Sequence, residues 1–348
     1  MNFLSVLAAI FCFGIIIFIH ELGHFFVAKK CGVRVLEFAI GMGPAIFQKQ
    51  IGETKYALRL LPVGGYCAMD GEDETKDDPR AFRSRPVWQR ILVTVAGAVM
   101  NIILGFILII ATTCLDTAIT STTVSGFHQN EAGADISTSS QWLQPGDRFV
   151  SINGLHIFTA SDISYALQND NCETFTIVVE RAGEKMTLEN VKFLDTETQG
   201  LLDFYVYPRE KTVLSVLGHS LKETVSTARL IWISLIDLLS GKYGFHDLSG
   251  VVGIVDSTAD FVSQSPTLRE KVYSLLYMMS FITVNVGIFN LIPFPALDGG
   301  RLVFLIIEAI RRKPIKAETE GKIHFIGLAV LMLLMIVITC QDVTRLFQ

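Results

Sequence analysis

Four uncharged stretches, which approach or exceed the length needed to cross a lipid bilayer, constrain this chain more than any other feature of its sequence. They cover residues 3–19, 91–115, 272–297 and 323–341. The hydrocarbon core of a bilayer is about 30 Å thick, so roughly 20 apolar residues of helix span it. Half of the 348 residues are hydrophobic and only 18% are charged, which is more apolar than soluble domains of this length. The sequence therefore predicts a polytopic α-helical membrane protein with four transmembrane helices, the first of them retained because it lacks signal-peptide features.

The distribution of lysine and arginine predicts how these helices are oriented. Residues 29–90 contain eleven of them, and the loop EAIRRKPIKAETEGK at 308–322 is also basic. Cytoplasmic loops retain Lys and Arg, so both loops are predicted to be cytoplasmic, with both termini and residues 116–270 extracytoplasmic. This predicts a multi-pass protein of the cell (inner, cytoplasmic) membrane, in contact with the lipid bilayer. A net charge of -5 gives no basic excess, so no nucleic-acid partner is predicted.

The end of the first apolar stretch contains the motif HELGH. His20 and His24 lie four residues apart, one above the other on a helix, and can share a zinc ion, while Glu21 can reach water beside the metal. The alternative is a pair of interfacial histidines at a membrane boundary. A carboxylate within a span costs at least about 2.5 kcal/mol and is tolerated mainly where it is paired or functional. We therefore predict Zn²⁺ as the cofactor, with His20 and His24 as ligands and Glu21 as the catalytic base.

A third zinc ligand is needed, and Asp298 in NLIPFPALDGGR at 290–301 is the candidate near the membrane. Pro293 and Pro295 cannot continue a helix, so the chain before Asp298 is predicted to be unwound and to lie against protein or water. The alternative for Asp298 is a helix cap at the membrane boundary. His324, at the inner end of the fourth stretch, is interpreted as a packing residue rather than a ligand.

The region between the second and third spans begins as a compact domain. LQPGDRFVSINGLHI at 143–157 indicates a turn, a strand and an Asn-Gly turn; SDISYALQ at 161–168 indicates a helix capped by Ser or Asp; and TFTIVVERAGEKMTLENVKF at 174–193 indicates two strands around Ala-Gly. Together they resemble a PDZ domain, which implies one extracytoplasmic α+β domain. Its LxPGDxxxxING signature is matched by Leu143, Pro145, Gly146, Asp147, Ile152, Asn153 and Gly154.

HExxH in a first span, followed by NxxPxPxLDGG in a late span and with a PDZ-like region between them, resembles the site-2 protease family of intramembrane metalloproteases, in its regulator-of-sigma-E protease branch. The resemblance implies that Asn290 binds the reacting substrate. It also implies that RLLPVGGYCAMDGED at 59–73 is a membrane-reentrant β-hairpin, where Gly64 and Gly65 leave backbone open for a substrate strand. A simple glycine turn is the alternative. Pro293 and Pro295 are assigned to the same substrate-binding region.

The predicted organisation follows from these assignments. It consists of a first transmembrane helix with HExxH (1–29), a cytoplasmic loop with the reentrant segment (30–89), a second transmembrane helix (90–116), the PDZ domain (120–210), a membrane-surface amphipathic helix and loop (211–270), a third transmembrane helix with the LDG motif (271–310), a cytoplasmic loop (311–322), and a fourth transmembrane helix with the tail (323–348).

The predicted function is that of a zinc-dependent intramembrane endopeptidase that cleaves single-span membrane proteins or peptides. Anti-sigma factors, signal-peptide remnants and peptide-pheromone precursors all fit as substrates, and the PDZ domain either tethers or filters them. Two alternatives remain. One is a non-catalytic PDZ-bearing membrane scaffold, in which the glutamate has no use; the other is a membrane-attached metalloprotease that cuts soluble peptides, which does not account for the Pro-x-Pro break.

Overall fold

The computed structural model describes residues 3–72, 77–129, 136–169, 172–193, 202–244 and 250–346. The chain divides into two compact units. One unit, called here the helical unit, comprises the chain up to Leu108 and from Ile231 onwards; the other, the sheet unit, comprises Ile109–Leu230.

Eight α-helices lie in the described ranges. They are α1 Phe3–Lys30, α2 Val87–Leu115, α3 Ala160–Gln168, α4 Val213–Leu239, α5 Val251–Ser263, α6 Leu268–Asn290, α7 Asp298–Arg311 and α8 Ala317–Leu346. Four of them contain segments long and apolar enough to cross a membrane, namely Leu7–Lys30, Val87–Leu115, Leu268–Asn290 and Ala317–Arg345. Large apolar side chains are exposed on these helices, including Phe11, Ile107 and Leu333. Lipid is the natural partner for such surfaces, so the four predicted spans are confirmed as candidate membrane helices.

The third span is interrupted where the sequence predicts it to be. α6 ends at Asn290 and α7 begins at Asp298, and the seven residues between them form turns and bends. Pro293 and Pro295 lie in this break, where the backbone is not helical and needs no helical N–H donor at either position. The predicted unwinding is therefore confirmed, and Asp298 opens a new helix.

A long irregular β-hairpin follows α1. Strand β1 covers Val35–Ile51 and strand β2 covers Thr54–Met69. Residues 37–40 of β1 pair on one side with residues 65–68 of β2 and on the other with residues 55–58. The sequence predicts β structure only within 59–73 and misses β1, because its two glycines and Pro44 interrupt the alternation that marks a strand.

The described residues of the sheet unit form six strands, β3 Ile119–Phe127, β4 Arg148–Ile152, β5 Leu155–His156, β6 Phe175–Arg181, β7 Glu184–Val191 and β8 Phe204–Arg209. Their order is β7-β6-β4-β3-β8, with β5 paired to β4. Fully buried Leu143, Phe149 and Ile177 belong to its core. The predicted Asn-Gly and Ala-Gly turns are present, and Asn153 and Ala182 each have positive φ, of 45° and 51°, before a glycine.

The cap of α3 differs from the prediction of Ser or Asp within SDISYALQ. Thr159 is the N-cap residue, and the Asp162 carboxylate accepts a hydrogen bond from the Thr159 N–H at 2.9 Å. This is the reciprocal arrangement of a capping box, which starts the helix one residue earlier, at Ala160. Asp162 is fully buried and also accepts from Arg229 of α4 at 2.7 Å, so its charge is compensated.

Candidate metal centre

Two histidines on one face of α1 form the first part of the site. His20 and His24 are one helical turn apart, and their rings meet edge to face with centroids 4.8 Å apart. Their Nε2 atoms lie 3.2 Å from each other. Both residues are buried, each 8% exposed, because α2 covers this face of α1. The i, i+4 spacing of the motif thus brings two nitrogen ligands to one point.

The third part comes from the start of α7. Asp298 Oδ2 lies 3.3 Å from His20 Nε2 and 3.3 Å from His24 Nε2. In the part of the chain that the structure describes, this buried oxygen has no hydrogen-bond partner. The helix-cap alternative for Asp298 does not fit this atom, since Oδ2 faces the histidines and Leu297 occupies the N-cap position.

The tautomer of His24 explains why these atoms need a cation between them. Its Nδ1–H donates to the Val93 carbonyl oxygen at 2.8 Å, which leaves a lone pair on Nε2. When His24 is neutral, that lone pair faces the Asp298 carboxylate oxygen, and a cation between the two atoms would bind both. A metal ligated by histidine characteristically has its other ring nitrogen held in this way.

The three atoms fit zinc in geometry and chemistry. Bonds of about 2.0–2.1 Å in a tetrahedron separate neighbouring ligand atoms by about 3.3–3.4 Å. The observed sides of the triangle, 3.2, 3.3 and 3.3 Å, match that separation closely. Two imidazoles and one carboxylate are a donor set that zinc accepts, and a fourth position remains for water or substrate. Among the described residues, this is the group that could hold a metal ion.

Helix α2 supports the histidines through two residues to which the sequence assigned no role. A Cβ atom on Gly97 would lie 2.4 Å from His24 Nε2 and 2.7 Å from His20 Cε1, so only glycine lets α2 approach this closely. One turn further on, the fully buried Asn101 has its Nδ2 atom 3.4 Å from His20 Nδ1. Nothing in the described part of the chain hydrogen-bonds to Asn101 Oδ1. Rotating the Asn101 side-chain amide by half a turn would exchange Nδ2 and Oδ1, and Oδ1 could then accept a hydrogen bond from the His20 Nδ1–H.

Close backbone packing holds the break that precedes Asp298. Cβ atoms on Gly299 and Gly300 would lie 2.2 Å from the Ile292 oxygen and 2.4 Å from the Phe294 oxygen. The paired glycines of LDGG therefore let the start of α7 turn back against the loop. This close packing of α7 against the loop places Asp298 next to the histidines on α1.

A pocket of about 360 Å³ opens onto the three candidate ligands. Glu21 lies in its wall, as do the edge of β2 and a charged pair formed by Glu72 and Arg301. Its full lining is His20, Glu21, His24, Tyr66, Cys67, Ala68, Met69, Glu72, Thr94, Asp298 and Arg301. The pocket therefore combines a metal triad, a carboxylate and an extended backbone edge.

Two pocket residues on β2 have perturbed acidities that bear on the chemistry. Burial raises the pKa of the Cys67 thiol well above its usual range, so this cysteine stays protonated and is a poor nucleophile. Burial, followed by the hydrogen bond and negative charge of Glu37, raises the pKa of the Tyr66 hydroxyl. Both groups are therefore protonated at neutral pH.

The structure brings together four of the nine site residues that the sequence proposes, His20, Glu21, His24 and Asp298. Gly65 adjoins them, since a Cβ at that position would lie 3.2 Å from Glu21 Cγ, and Gly64 precedes it with φ of +83°. Asn290, Pro293 and Pro295 are not among the pocket-lining residues. The Asn290 amide donates to the Val286 carbonyl oxygen at 3.0 Å. The sequence did not identify Glu72 and Arg301 as site residues, because the only indication was that each is a charged residue close to one of the two motifs.

Several proteins are similar in sequence to this chain over nearly its whole length. Regulator of sigma-W protease RasP of Bacillus subtilis strain 168 is 32% identical, with 99% of each chain covered. Zinc metalloprotease RasP of Bacillus licheniformis is 33% identical, again with 99% of each chain covered. A putative zinc metalloprotease of Clostridium acetobutylicum is 33% identical over 99% of this chain and 98% of its own.

The model of peptidase family M50 matches residues 8–334. This match begins in α1 and ends in α8, so it encloses the histidine pair, the β2 edge of the pocket and Asp298. The match covers most of the chain, and two of the three relatives bear the name zinc metalloprotease, which agrees with a metal site of two histidines and a carboxylate. The chain belongs to peptidase family M50, the site-2 protease family of intramembrane zinc metalloproteases.

Proposed function

We propose that this protease cleaves single-span membrane proteins within the bilayer, with Zn²⁺ held by His20, His24 and Asp298. One observation carries the proposal: the three ligand atoms form a triangle with sides of 3.2–3.3 Å beside a candidate membrane-crossing helix. A transmembrane substrate lying beside this helix in the bilayer would be next to the site. Anti-sigma factors and signal-peptide remnants are substrates of the proposed kind.

The chemistry is peptide-bond hydrolysis with Glu21 as the general base. A bound Zn²⁺ supplies Lewis acidity, which polarises a carbonyl and lowers the pKa of water toward about 7. Glu21 accepts the proton of the attacking water and returns it to the leaving amine. Its position suits this role because it lines the same pocket as the three ligands, and Gly65 leaves space beside its side chain.

The edge of β2 is the proposed binding surface for the unwound substrate. Residues 65–68 have β1 on one side and, among the described residues, no strand on the other. An extended peptide can add to such an edge through main-chain hydrogen bonds. A transmembrane helix must unwind first, because its carbonyls are otherwise engaged within the helix. In this proposal β1 and β2 are the membrane-reentrant hairpin, and Gly64 and Gly65 begin the substrate edge.

The break between α6 and α7 completes the substrate site. Asn290, at the end of α6, has one amide hydrogen engaged with Val286, which leaves a second to donate to a developing oxyanion. Pro293 and Pro295 shape the backbone that runs from Asn290 to Asp298. Replacement of Asn290 by Ala is expected to lower the rate of cleavage more than it lowers substrate binding.

The sheet unit is proposed to be a PDZ-like domain that controls access of substrates. Its Pro-Gly-Asp signature is supported by Asp147, which is fully buried and accepts hydrogen bonds from Arg181 and from the Gln144 N–H. Deletion of residues 124–195 separates two roles. Premature cleavage of a full-length substrate indicates a filter, whereas loss of cleavage indicates a tether.

The catalytic pocket is proposed to face the cytoplasm and the sheet unit the outside of the cell membrane. Lys29 and Lys30 at the end of α1, next to the HExxH motif, support this orientation. A cysteine introduced at Glu53, in the β1–β2 turn, tests it in a variant whose exposed native cysteines, Cys114, Cys172 and Cys340, are replaced by serine. Labelling of intact cells by a membrane-impermeant reagent would contradict the orientation, and labelling only after permeabilisation would support it.

The decisive test of the mechanism uses purified full-length protein and a synthetic single-span substrate in proteoliposomes. Glu21→Gln is expected to retain zinc and to lose cleavage, because only the base is removed. Glu184→Gln, at an exposed carboxylate of β7, is the control and should cleave normally. Persistent cleavage by Glu21→Gln would refute the mechanism. Membrane fragments that accumulate in a Glu21→Ala strain, compared with the wild type by proteomics, would identify the natural substrates.

A further inference from the structure

The loop that delivers Asp298 contains one residue in an unfavourable backbone conformation. Ala296 has φ of +80°, in the left-handed region that side chains with a Cβ rarely adopt. It lies two residues before Asp298, so its conformation sets the direction in which the chain enters α7. Backbone strain of this kind persists only where neighbouring groups hold it, and it is common at functional sites.

The group that holds Ala296 is His324 on α8. The Ala296 N–H donates to His324 Nδ1 at 2.9 Å. The His324 ring also packs against Phe304 of α7, with ring centroids 5.5 Å apart and planes at 56°. The imidazole is therefore placed between the loop and the helix that begins with Asp298.

A second contact on the same face of α8 shows that this packing is close. Gly327, one turn after His324, lies so near the loop that a Cβ on it would stand 2.4 Å from Pro295 Cβ and 2.5 Å from the Pro295 oxygen. Between Gly327 and the buried Asp342 near the other end of α8, most side chains of the helix are exposed. The helix is thus anchored near its inner end by His324 and Gly327, directly on the Pro-x-Pro break.

We propose that His324 is a positioning residue of the metal site. By accepting the Ala296 N–H, it stabilises the left-handed conformation of Ala296 and so fixes the loop that holds Asp298 Oδ2 against the two histidines. His324 itself is not a ligand, because a neutral imidazole that accepts at Nδ1 carries its hydrogen on Nε2 and has no lone pair there for a metal. This inference rests on the proposed role of Asp298 in zinc binding.

The test measures zinc affinity of the purified full-length protein by competition with a chelator, so the readout does not depend on cleavage. Asn can place Oδ1 where His324 Nδ1 lies, whereas Gln places its oxygen one bond further out. We expect His324→Asn to bind zinc within about threefold of the wild type, and His324→Gln and His324→Leu to bind it about 10- to 100-fold more weakly.

A second substitution distinguishes loop control from simple helix docking. Glycine adopts φ of +80° without strain, so Ala296→Gly should remove the need for the hydrogen bond. Ala296→Gly combined with His324→Leu is expected to recover most of the zinc affinity. Phe325→Leu, at the neighbouring position that is 72% exposed, is the control and should bind zinc normally.

The outcomes separate this proposal from the proposed function. Asp298→Asn must lose zinc in the same assay; if it does not, the ligand assignment fails, and this proposal fails with it. If Asp298→Asn loses zinc while His324→Gln and His324→Leu bind zinc as the wild type does, only the role of His324 is refuted. Loss of zinc in those variants without recovery by Ala296→Gly would also refute it, since His324 would then act through helix packing alone.

Discussion

Gly97 on α2 lies so close to His24 on α1 that a Cβ atom on the glycine would stand 2.4 Å from His24 Nε2. A real Cβ does not approach a ring nitrogen so closely, so any side chain here has to push one helix away from the other. The proposed zinc ligands therefore depend on a residue that has no chemistry of its own. The same glycine leaves room for both imidazoles to turn toward Asp298.

Gly97→Ala is expected to lower zinc affinity by at least about tenfold, since the methyl group displaces the proposed ligand nitrogens. Chelator competition on purified protein measures the effect. Gly14→Ala on α1 is the matched control, because its Cβ would meet nothing within 4 Å. Normal zinc affinity in Gly97→Ala would contradict this prediction, because α2 would then move aside without displacing the histidines.

Asn101→Leu is expected to weaken zinc binding by about 10- to 100-fold while leaving the fold intact. The amide is the buried polar group next to His20 Nδ1, and residues behind a metal-bound histidine set its orientation. Leucine has a similar size, so packing of α2 is largely kept. Zinc titration together with thermal unfolding separates the two effects; a large drop in melting temperature with unchanged zinc affinity would contradict this role.

A buried ion pair joins α2 to α7. The Arg90 guanidinium donates two hydrogen bonds to the Glu308 carboxylate, at 3.0 and 2.5 Å, and the two side chains are 6% and 12% exposed. Arg90→Met leaves the carboxylate buried and unpaired, which is expected to cost about 3–5 kcal/mol of unfolding free energy. Arg90→Met with Glu308→Leu should recover much of that loss, because neither charge remains.

The exposed pair Lys322–Glu318 on α8 is the control for this prediction. Lys322→Met is expected to change stability by less than about 1 kcal/mol, as exposed ion pairs do. Equilibrium unfolding of the three variants and the wild type in detergent is the measurement. If the double variant is no more stable than Arg90→Met alone, the loss comes from packing rather than from an unpaired charge.

Gly64→Ala is expected to slow cleavage of a single-span substrate while zinc affinity stays normal. Its φ of +83° costs an L-residue about 1–2 kcal/mol, so alanine should distort the start of the β2 edge. The proposed zinc ligands lie on helices α1 and α7, so this change should not displace them. Gly126→Ala in β3, where a Cβ would meet nothing within 4 Å, is the control. Parallel loss of zinc and cleavage would count against a separate substrate edge.

Local sequence patterns predicted the parts of the molecule that local physics controls. The four spans follow from the length of their apolar stretches, and the break at Pro293 and Pro295 follows from the missing N–H donors. The hairpin turns of the sheet unit follow from Asn-Gly and Ala-Gly pairs. Strand β1 was missed, because its pairing partners on β2 rather than its own pattern stabilise it.

The sequence by itself determined that His20 and His24 share one helix face and that Asp298 follows a break in a distant span. These statements need only the helical repeat and the chemistry of proline. Only the tertiary structure decided that Asp298 Oδ2 lies 3.3 Å from both histidines, that Gly97 makes room for them, and that His324 holds the loop. The physical reason is that contacts between helices depend on their relative rotation and depth, which close packing sets across the whole assembly and no single segment encodes.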